Sequence, residues 1–511
     1  MWDKFYSSML NIKQQFVVKD FIIIILVLFA IVSPLLAGNV YYQDDYHRLV
    51  SGNVSYWINN GRPLATWLTW FINFTGMVSD TSPLSLLLGI LGLAASLVIS
   101  FCRLTKPETG FTILISLAIM LSPFISQSML YAYDAMGILL SIGLAFLASM
   151  LYFPQRINHF IISFILFLAA LCLYQTAVNY GFINILLIGM LAITQRHDTR
   201  KGLQHAAIAL ASLLLALLVY KLIVVPLCVT DPFNQTRSVM VPASAAGIGM
   251  VSHNFTQSLA VLLQAFPGYS LLPVGGIFVA GACACYKTGF SWLINKKTAI
   301  SSYLAASLSF IAPCLVLLTI SGFLLLLKDA EFAPRVLGAF SAALVFNFCI
   351  ARQVFPKLKL ILNFCLVMYL LFTATFMMAT FRALVNQSNF DQAMIIGMSN
   401  DLAQVGSENI NQVAIIGKSP FSPDISPAMK HYPLLNEIIY PSIEEGFDFR
   451  YYALMNRAMV FYPFAIITPE IKAYIPNHVI SAGCLYHFYM DGKTAIFNFQ
   501  APACKMSSKF L

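Results

Sequence analysis

Long apolar runs separated by short polar stretches dominate this chain. A helix needs roughly 20 apolar residues to cross a bilayer. On that measure the pattern predicts about eleven spans, at 20–37, 83–102, 110–128, 135–153, 160–176, 178–194, 203–226, 268–286, 300–327, 335–351 and 359–381. The stretch 61–78 is aromatic but only moderately apolar, so an interfacial helix is expected there. The pattern changes after residue 381, where the tail becomes much more polar. Within it, 412–417 reads as a short buried strand, and 386–405 and 451–461 read as helices. The segments 485–489 and 494–499 flank Met490-Asp491-Gly492-Lys493, a hairpin turn. The expected fold is a polytopic α-helical membrane protein with a small C-terminal α/β domain. Its membrane module covers 1–381, with a first outer loop at 38–82, and the α/β domain covers 382–511.

Composition excludes a soluble protein. The 511 residues are 59% hydrophobic and only 10% charged, with a mean hydropathy of +0.77. That much apolar surface belongs in lipid. The net charge of +9 would suggest nucleic acid only if the cations shared one soluble face. Instead they punctuate the spans, as Arg103 and Lys106; Arg156; Arg196, Arg200 and Lys201; Lys287, Lys296 and Lys297; and Arg352, Lys357 and Lys359. With the basic N-terminus inside, all of these loops fall inside as well, as the positive-inside rule requires. Met1 to Asp20 is long, amphipathic and basic, and the span after it has Pro34 near its end but no small-x-small cleavage site, so the first span is read as retained. Most cysteines lie in or beside apolar spans and read as packing residues. Cys484 and Cys504 share the polar tail, where an oxidising compartment would allow a disulfide between them.

This parity turns the polar groups between spans into candidates. Tyr42-Gln43-Asp44-Asp45-Tyr46-His47-Arg48 follows the first span and faces out. Ionisable groups at a membrane surface are costly unless solvated or paired, so they mark candidate sites. Adjacent residues point in different directions, so at most one of Asp44 and Asp45 meets a substrate directly. The other could orient it or pair with Arg48. Either carboxylate could act as general base, and either could instead cap a helix starting near Tyr46.

The outer cations Arg48, Arg62, Lys221, Lys328 and Arg335 are candidates for gripping a phosphate. Snorkelling to headgroups also explains Lys221, and ion pairing with Asp329 and Glu331 also explains Lys328 and Arg335. Asp134, just before an apolar run, needs a partner, which helix capping would supply, and it joins these cations as a substrate-binding candidate. Tyr131, Tyr133, Tyr174, Gln175, Asn179 and Tyr180 lie where a cavity open to the outside would be lined. They suit a sugar and equally an interfacial aromatic belt. The chain has no phosphate-binding Gly-rich loop, no HExxH and no nucleophile elbow.

Taken together, the Asp-Asp-x-x-Arg of 44–48, the Gly61-Arg62-Pro63-Leu64 that follows, the run of spans and the outer α/β tail resemble the bacterial O-antigen-modifying, serotype-converting (Gtr-type) glucosyltransferases of the multi-span GT-C class. The resemblance implies an inner-membrane enzyme of lipopolysaccharide synthesis, with its N-terminus cytoplasmic and its C-terminus periplasmic. It implies an inverting transfer of glucose from undecaprenyl phosphate to a lipid-linked O-antigen sugar. By the family pattern Asp44 or Asp45 is the base, and Arg335 or Lys328 binds the lipid phosphate. No cofactor is required; a divalent metal is not obligatory, although an aspartate pair could hold one. A lipid-linked sugar flippase or an O-antigen polymerase are the alternatives. The sizeable C-terminal tail and the scarcity of mid-span charges favour the transferase.

Overall fold

The computed structural model describes residues 18–102, 110–151, 153, 155–195, 199–294, 300–446, 448–457, 462–474 and 478–500. Among them, nine helices are long and apolar enough to cross a membrane. The chain is thus a polytopic helical membrane protein, and each expected span has a counterpart. Two counterparts depart from a simple crossing. The expected span 110–128 is a pair of helices bent by 62°, and 135–153 is a helix of 16 residues, Ala135–Met150. The bend has a local cause. Ser122 precedes Pro123 and is extended, at φ −112° and ψ 138°. Proline disfavours the helical region for the residue before it.

The helices used below are α1 (Val18–Gly38), α2 (Asp44–Ser51), α3 (Pro63–Asn73), α4 (Leu84–Phe101), α5 (Phe111–Met120), α6 (Pro123–Leu130), α7 (Ala135–Met150), α8 (Arg156–Leu173), α9 (Ala177–Gln195), α10 (Thr199–Val219), α11 (Ala245–Gln264), α12 (Leu271–Ile294), α13 (Ile300–Ser321), α14 (Phe340–Val354) and α15 (Lys359–Val405). Lipid tails are as apolar as leucine, so close packing rather than water exclusion joins such helices. At Gly281 of α12 a Cβ would sit 2.7 Å from the Asn347 Cα of α14. A side chain there would push the two helices apart.

Two features differ from the sequence expectation. The helix expected at 386–405 is not a separate element. It continues the last span as α15, 47 residues without a break, or roughly 70 Å at the usual rise. The expected module boundary at 381 falls inside it. Nothing between 381 and 386 stops a helix, since neither proline nor glycine occurs there. A further helix, α11, lies between the expected spans 203–226 and 268–286. Its run of Ser252, His253, Asn254, Thr256 and Gln257 hides it from an apolar-span search. Buried Asn254 fastens it by donating to the carbonyls of Leu325 and Leu327 at 3.2 and 2.9 Å.

The C-terminal region forms a four-stranded sheet in the order β1-β4-β3-β2, with β1 Gln412–Ile416, β2 Ser481–Ala482, β3 His487–Asp491 and β4 Thr494–Asn498. The strand and hairpin expected from sequence are β1, β3 and β4. β1 and β4 run parallel, and β3 and β4 antiparallel. The helix expected at 451–461 is observed as Asp448–Arg457, and residues 458–461 lie outside the described residues. One apolar cluster joins Tyr41, Tyr46 and Trp57 of the first loop to Met394, Met398 and Leu402 of α15 and to Val413 and Phe488 of the sheet. The first loop therefore lies between the helix bundle and this cap.

At the opposite end, Lys287 lies over the Phe355 ring and Arg352 over the Phe111 ring, at 4.8 and 4.3 Å. Of the cations that fixed the expected parity, Arg103, Lys106, Arg196, Lys296 and Lys297 lie outside the described residues. Cys484 is disulfide-bonded; Cys504 lies outside the described residues.

Candidate active site

The acidic pair opens α2, and the helix separates its two members. Asp45 is fully buried and accepts backbone N–H bonds from Tyr42, Ala132 and Tyr133 at 3.0, 2.8 and 3.3 Å. It ties the loop after α1 to the strand-like turn after α6. Burial pushes its carboxyl up to about 7, with Arg48 and the Ala132 N–H pulling the other way. Asp44 is exposed on the other side of the helix.

Arg48 and Asp134, both expected among the substrate-gripping groups, are instead closed on each other. They form a buried ion pair at 2.9 Å. Trp57 donates its indole N–H to the same carboxylate, and the Arg48 guanidinium lies 4.7 Å over the Trp57 ring. Burial works against the Arg48 charge, but Asp134, Asp44 and Asp45 outweigh it and hold the guanidinium firmly protonated. This answers the question of what partners Asp134.

Arg62 and Arg335 reach the same region from distant parts of the chain. Arg62 precedes Pro63 of α3. It lies 4.6 Å over the Tyr174 ring, and its Nε donates to Gln175 at 3.2 Å. Gln175 in turn donates to the Asn60 carbonyl and to the Tyr220 hydroxyl at 2.7 and 2.8 Å. Tyr220 donates to the Gly61 carbonyl at 2.8 Å. Gly61 has φ +73°, and a Cβ there would meet the Tyr220 hydroxyl at 2.5 Å; only glycine fits both constraints. Tyr220 opens a π-helical turn, Tyr220–Val224, a distortion common at functional sites.

Arg335 sits in a 3-10 turn, Pro334–Leu337. Its backbone N–H donates to Gln127 at 2.8 Å and its guanidinium donates to the Tyr131 hydroxyl. Tyr131 in turn donates its hydroxyl to the side-chain carbonyl of Gln43 at 2.9 Å, one residue before Asp44. Arg335 feels the attraction of Asp44 and the repulsion of Arg62.

The cap adds two groups that the sequence reading missed. Arg450 is buried, burial lowers its pKa, and its guanidinium pairs with Glu444 at 3.9 Å, with Asp44 a smaller attraction. Its Nη1 donates to the Pro441 carbonyl at 3.4 Å. Tyr440 lies 6.5 Å from the Tyr42 ring. Gln127, also missed, joins both halves by donating to the Tyr42 hydroxyl at 2.9 Å, while Tyr42 donates to the Ile438 carbonyl at 2.6 Å. Arg450 stands in a charged, aromatic run, Asp448-Phe449-Arg450-Tyr451-Tyr452. That was a visible signal, but nothing in linear spacing tied it to Asp44.

The remaining candidates lie apart. Lys221 is exposed beside Leu222 and Ile223, which are also exposed. Lys328 is exposed too, and its backbone N–H pairs with the Val239 carbonyl at 2.9 Å. Glu331 pairs with Arg237 at 3.0 Å rather than with Arg335. Tyr131, Tyr174 and Gln175 join the arginines. Tyr133 stacks on Tyr41 at 6.4 Å, and Asn179 and Tyr180 pack against Gly322 and Gly338. Among the described residues no group of three or more His, Cys, Asp or Glu could hold a metal.

The chain is 24% identical over 407 residues to an uncharacterized 55.3 kDa protein in the gtrB 5' region of Salmonella phage P22, covering 80% of this chain and 83% of that protein. No solved structure matches. The family profile described as Glucosyl transferase GtrII matches residues 33–346, more than half of the chain and the part that holds Asp44, Arg62 and Arg335. The chain belongs to the GtrII glucosyltransferase family.

Proposed function

We propose that this protein transfers a glucosyl group from undecaprenyl phosphate to a sugar hydroxyl of a lipid-linked O-antigen, with inversion, at the periplasmic face of the inner membrane. The observation that carries the reading is one exposed carboxylate, Asp44, within electrostatic reach of Arg335, which shares its anion site with Arg62. Asp44 accepts the proton of the acceptor hydroxyl as its oxygen bonds to the anomeric carbon. The bond from that carbon to the donor phosphate breaks, and Arg335 and Arg62 stabilise the departing phosphate. Arg offers a planar fork that matches phosphate oxygens. A single displacement needs no enzyme nucleophile. Asp45 holds α2 in place and touches no substrate.

The test expresses wild type, Asp44→Asn and Asp45→Asn in cells making a defined O-antigen, followed by glycan analysis. Asp44→Asn is expected to lower transfer by about two to four orders of magnitude while the protein folds. Asp45→Asn is expected to act through stability. Full glucosylation by folded Asp44→Asn overturns the assignment of the base.

A further inference from the structure

We propose that Gln127 is a positioning residue of the transfer: through a closed ring of hydrogen bonds it sets the spacing between the base Asp44 and the phosphate-binding Arg335. This rests on the reaction proposed above. The ring begins on α6, which presents Gln127 and, one turn further on at its end, Tyr131. Gln127 is fully buried. Its Oε1 accepts the Arg335 backbone N–H at 2.8 Å, and its Nε2 donates to the Tyr42 hydroxyl at 2.9 Å. Tyr42 leads by one peptide bond to Gln43, whose side-chain carbonyl accepts the Tyr131 hydroxyl at 2.9 Å. The Arg335 guanidinium donates to the Tyr131 oxygen, which closes the ring. The orientation of the amide is forced. A backbone N–H can only donate, so the Gln127 oxygen must face Arg335 and its nitrogen must face Tyr42. The Tyr42 hydroxyl is then free to give its own proton to the Ile438 carbonyl at 2.6 Å.

The backbone at Gln43 supplies an independent observation. Gln43 has φ +44° and ψ −107°, and the Asp45 N–H closes a turn on the Tyr42 carbonyl at 3.0 Å. A positive φ with ψ of about −120° belongs to the first central position of a type II′ turn, where glycine is the usual residue. This chain places a glutamine there, and its Cβ makes the conformation costly. Such outliers persist only where the surroundings over-determine them, and they gather at functional sites. Here Tyr131 holds the Gln43 side chain, Gln127 and Ile438 hold the Tyr42 hydroxyl, and Asp45 accepts the Tyr42 N–H at 3.0 Å. A glycine would relax the backbone and leave Tyr131 without its acceptor. The turn fixes the start of α2, and with it the exposed Asp44 that follows Gln43. In the proposed displacement, Asp44 takes the proton in the step in which the phosphate departs toward Arg335. Their separation therefore acts on the chemical step. A misplacement of roughly 1 Å can cost about a hundredfold in rate.

Kinetics and hydrogen exchange of the full-length protein in nanodiscs test this. Gln127→Met keeps the length of the side chain and removes both of its bonds. It is expected to lower kcat by about ten- to a hundredfold and to leave the donor KM close to wild type, because Arg62 and the Arg335 guanidinium remain. Gln43→Gly, at a half-buried position whose backbone suits glycine, guards against a folding defect in the first variant. It is expected to melt as wild type does and still to lose about tenfold in kcat. Full kcat in folded Gln43→Gly, or a Gln127→Met effect confined to KM, overturns the proposal. Exchange needs no turnover. In Gln127→Met the amides of 41–46 and of 335–337 are expected to exchange faster together, with those of β1 as in wild type. Unchanged exchange in both segments overturns the ring whatever the reaction proves to be. A wild type that transfers no glucose overturns the reaction instead, and exchange then decides the ring alone.

Discussion

Asp44 and Asp45 are chemically identical and adjacent, yet their surroundings differ completely. The helical turn sends Asp45 into three backbone N–H groups and leaves Asp44 exposed. The sequence allowed either to be the base, because adjacency says only that they diverge. Burial also gives Asp45 a pH signature. A carboxyl titrates near about 4 in an unfolded chain, whereas the folded one is pushed up to about 7. The folded state therefore holds the proton more tightly. The stability from this group is complete below about pH 4 and is lost as pH rises through about 7. Thermal melts across that interval should fall more steeply for wild type than for Asp45→Asn. Equal slopes would show that Asp45 does not titrate there.

The pair Arg48–Asp134 makes a second prediction at this scale. Removing one partner strands a buried charge, so Asp134→Ala should cost about 3–5 kcal/mol. Replacing both, as Arg48→Met with Asp134→Leu, should restore most of that loss. Unfolding in mixed micelles measures both variants. A double variant no more stable than the single one would mean that the pair contributes more than mutual neutralisation.

Among the elements, the turn before α3 shows most directly how local backbone sets a functional group. Gly61 at φ +73° lets the chain pass beneath Tyr220, and Arg62 follows immediately, held over Tyr174. A Gly61→Ala variant adds a left-handed penalty of roughly 1–2 kcal/mol and a clash with the Tyr220 hydroxyl. It should raise the donor KM more than it lowers kcat, since it displaces Arg62, the proposed phosphate-binding group, and leaves Asp44 in place. Steady-state kinetics over a donor series checks this, and an unchanged KM would remove Arg62 from the anion site. The sequence showed the Gly61-Arg62-Pro63 punctuation. It could not show that α10 supplies Tyr220 through a π turn, because that distortion depends on packing against a loop some 160 residues earlier in the chain.

On the scale of the molecule, the first loop is held between bundle and cap. α15 carries the cap on a continuous helix, and Asp391 on it accepts the Ser442 backbone N–H at 2.9 Å. Gln387 accepts that of Ser422 at 2.8 Å. These bonds lock the cap over α2 and place Arg450 near Asp44. The proposed reaction also requires this end to face the periplasm. Thr75→Cys, exposed in the first loop, should react with an impermeant maleimide in intact spheroplasts. Labelling only after lysis would place the site in the cytosol and end the proposed reaction.

Apolar run length alone determined that this is a many-span helical membrane protein, because covering some 30 Å of hydrocarbon imposes one length on every crossing. Turn chemistry in the tail gave the β3–β4 hairpin, whose pairing is local in sequence, and a short apolar run gave β1, whose parallel partner β4 lies some 80 residues further on. Composition likewise flagged Asp44, Arg62 and Arg335 as costly charges near span ends. Only the tertiary structure decided which charges remain open. Arg48 finds Asp134, Asp45 finds the turn after α6, and Arg450 arrives from the cap. Each partner lies dozens to hundreds of residues away, and a buried charge is defined by what folding brings against it rather than by its neighbours along the chain.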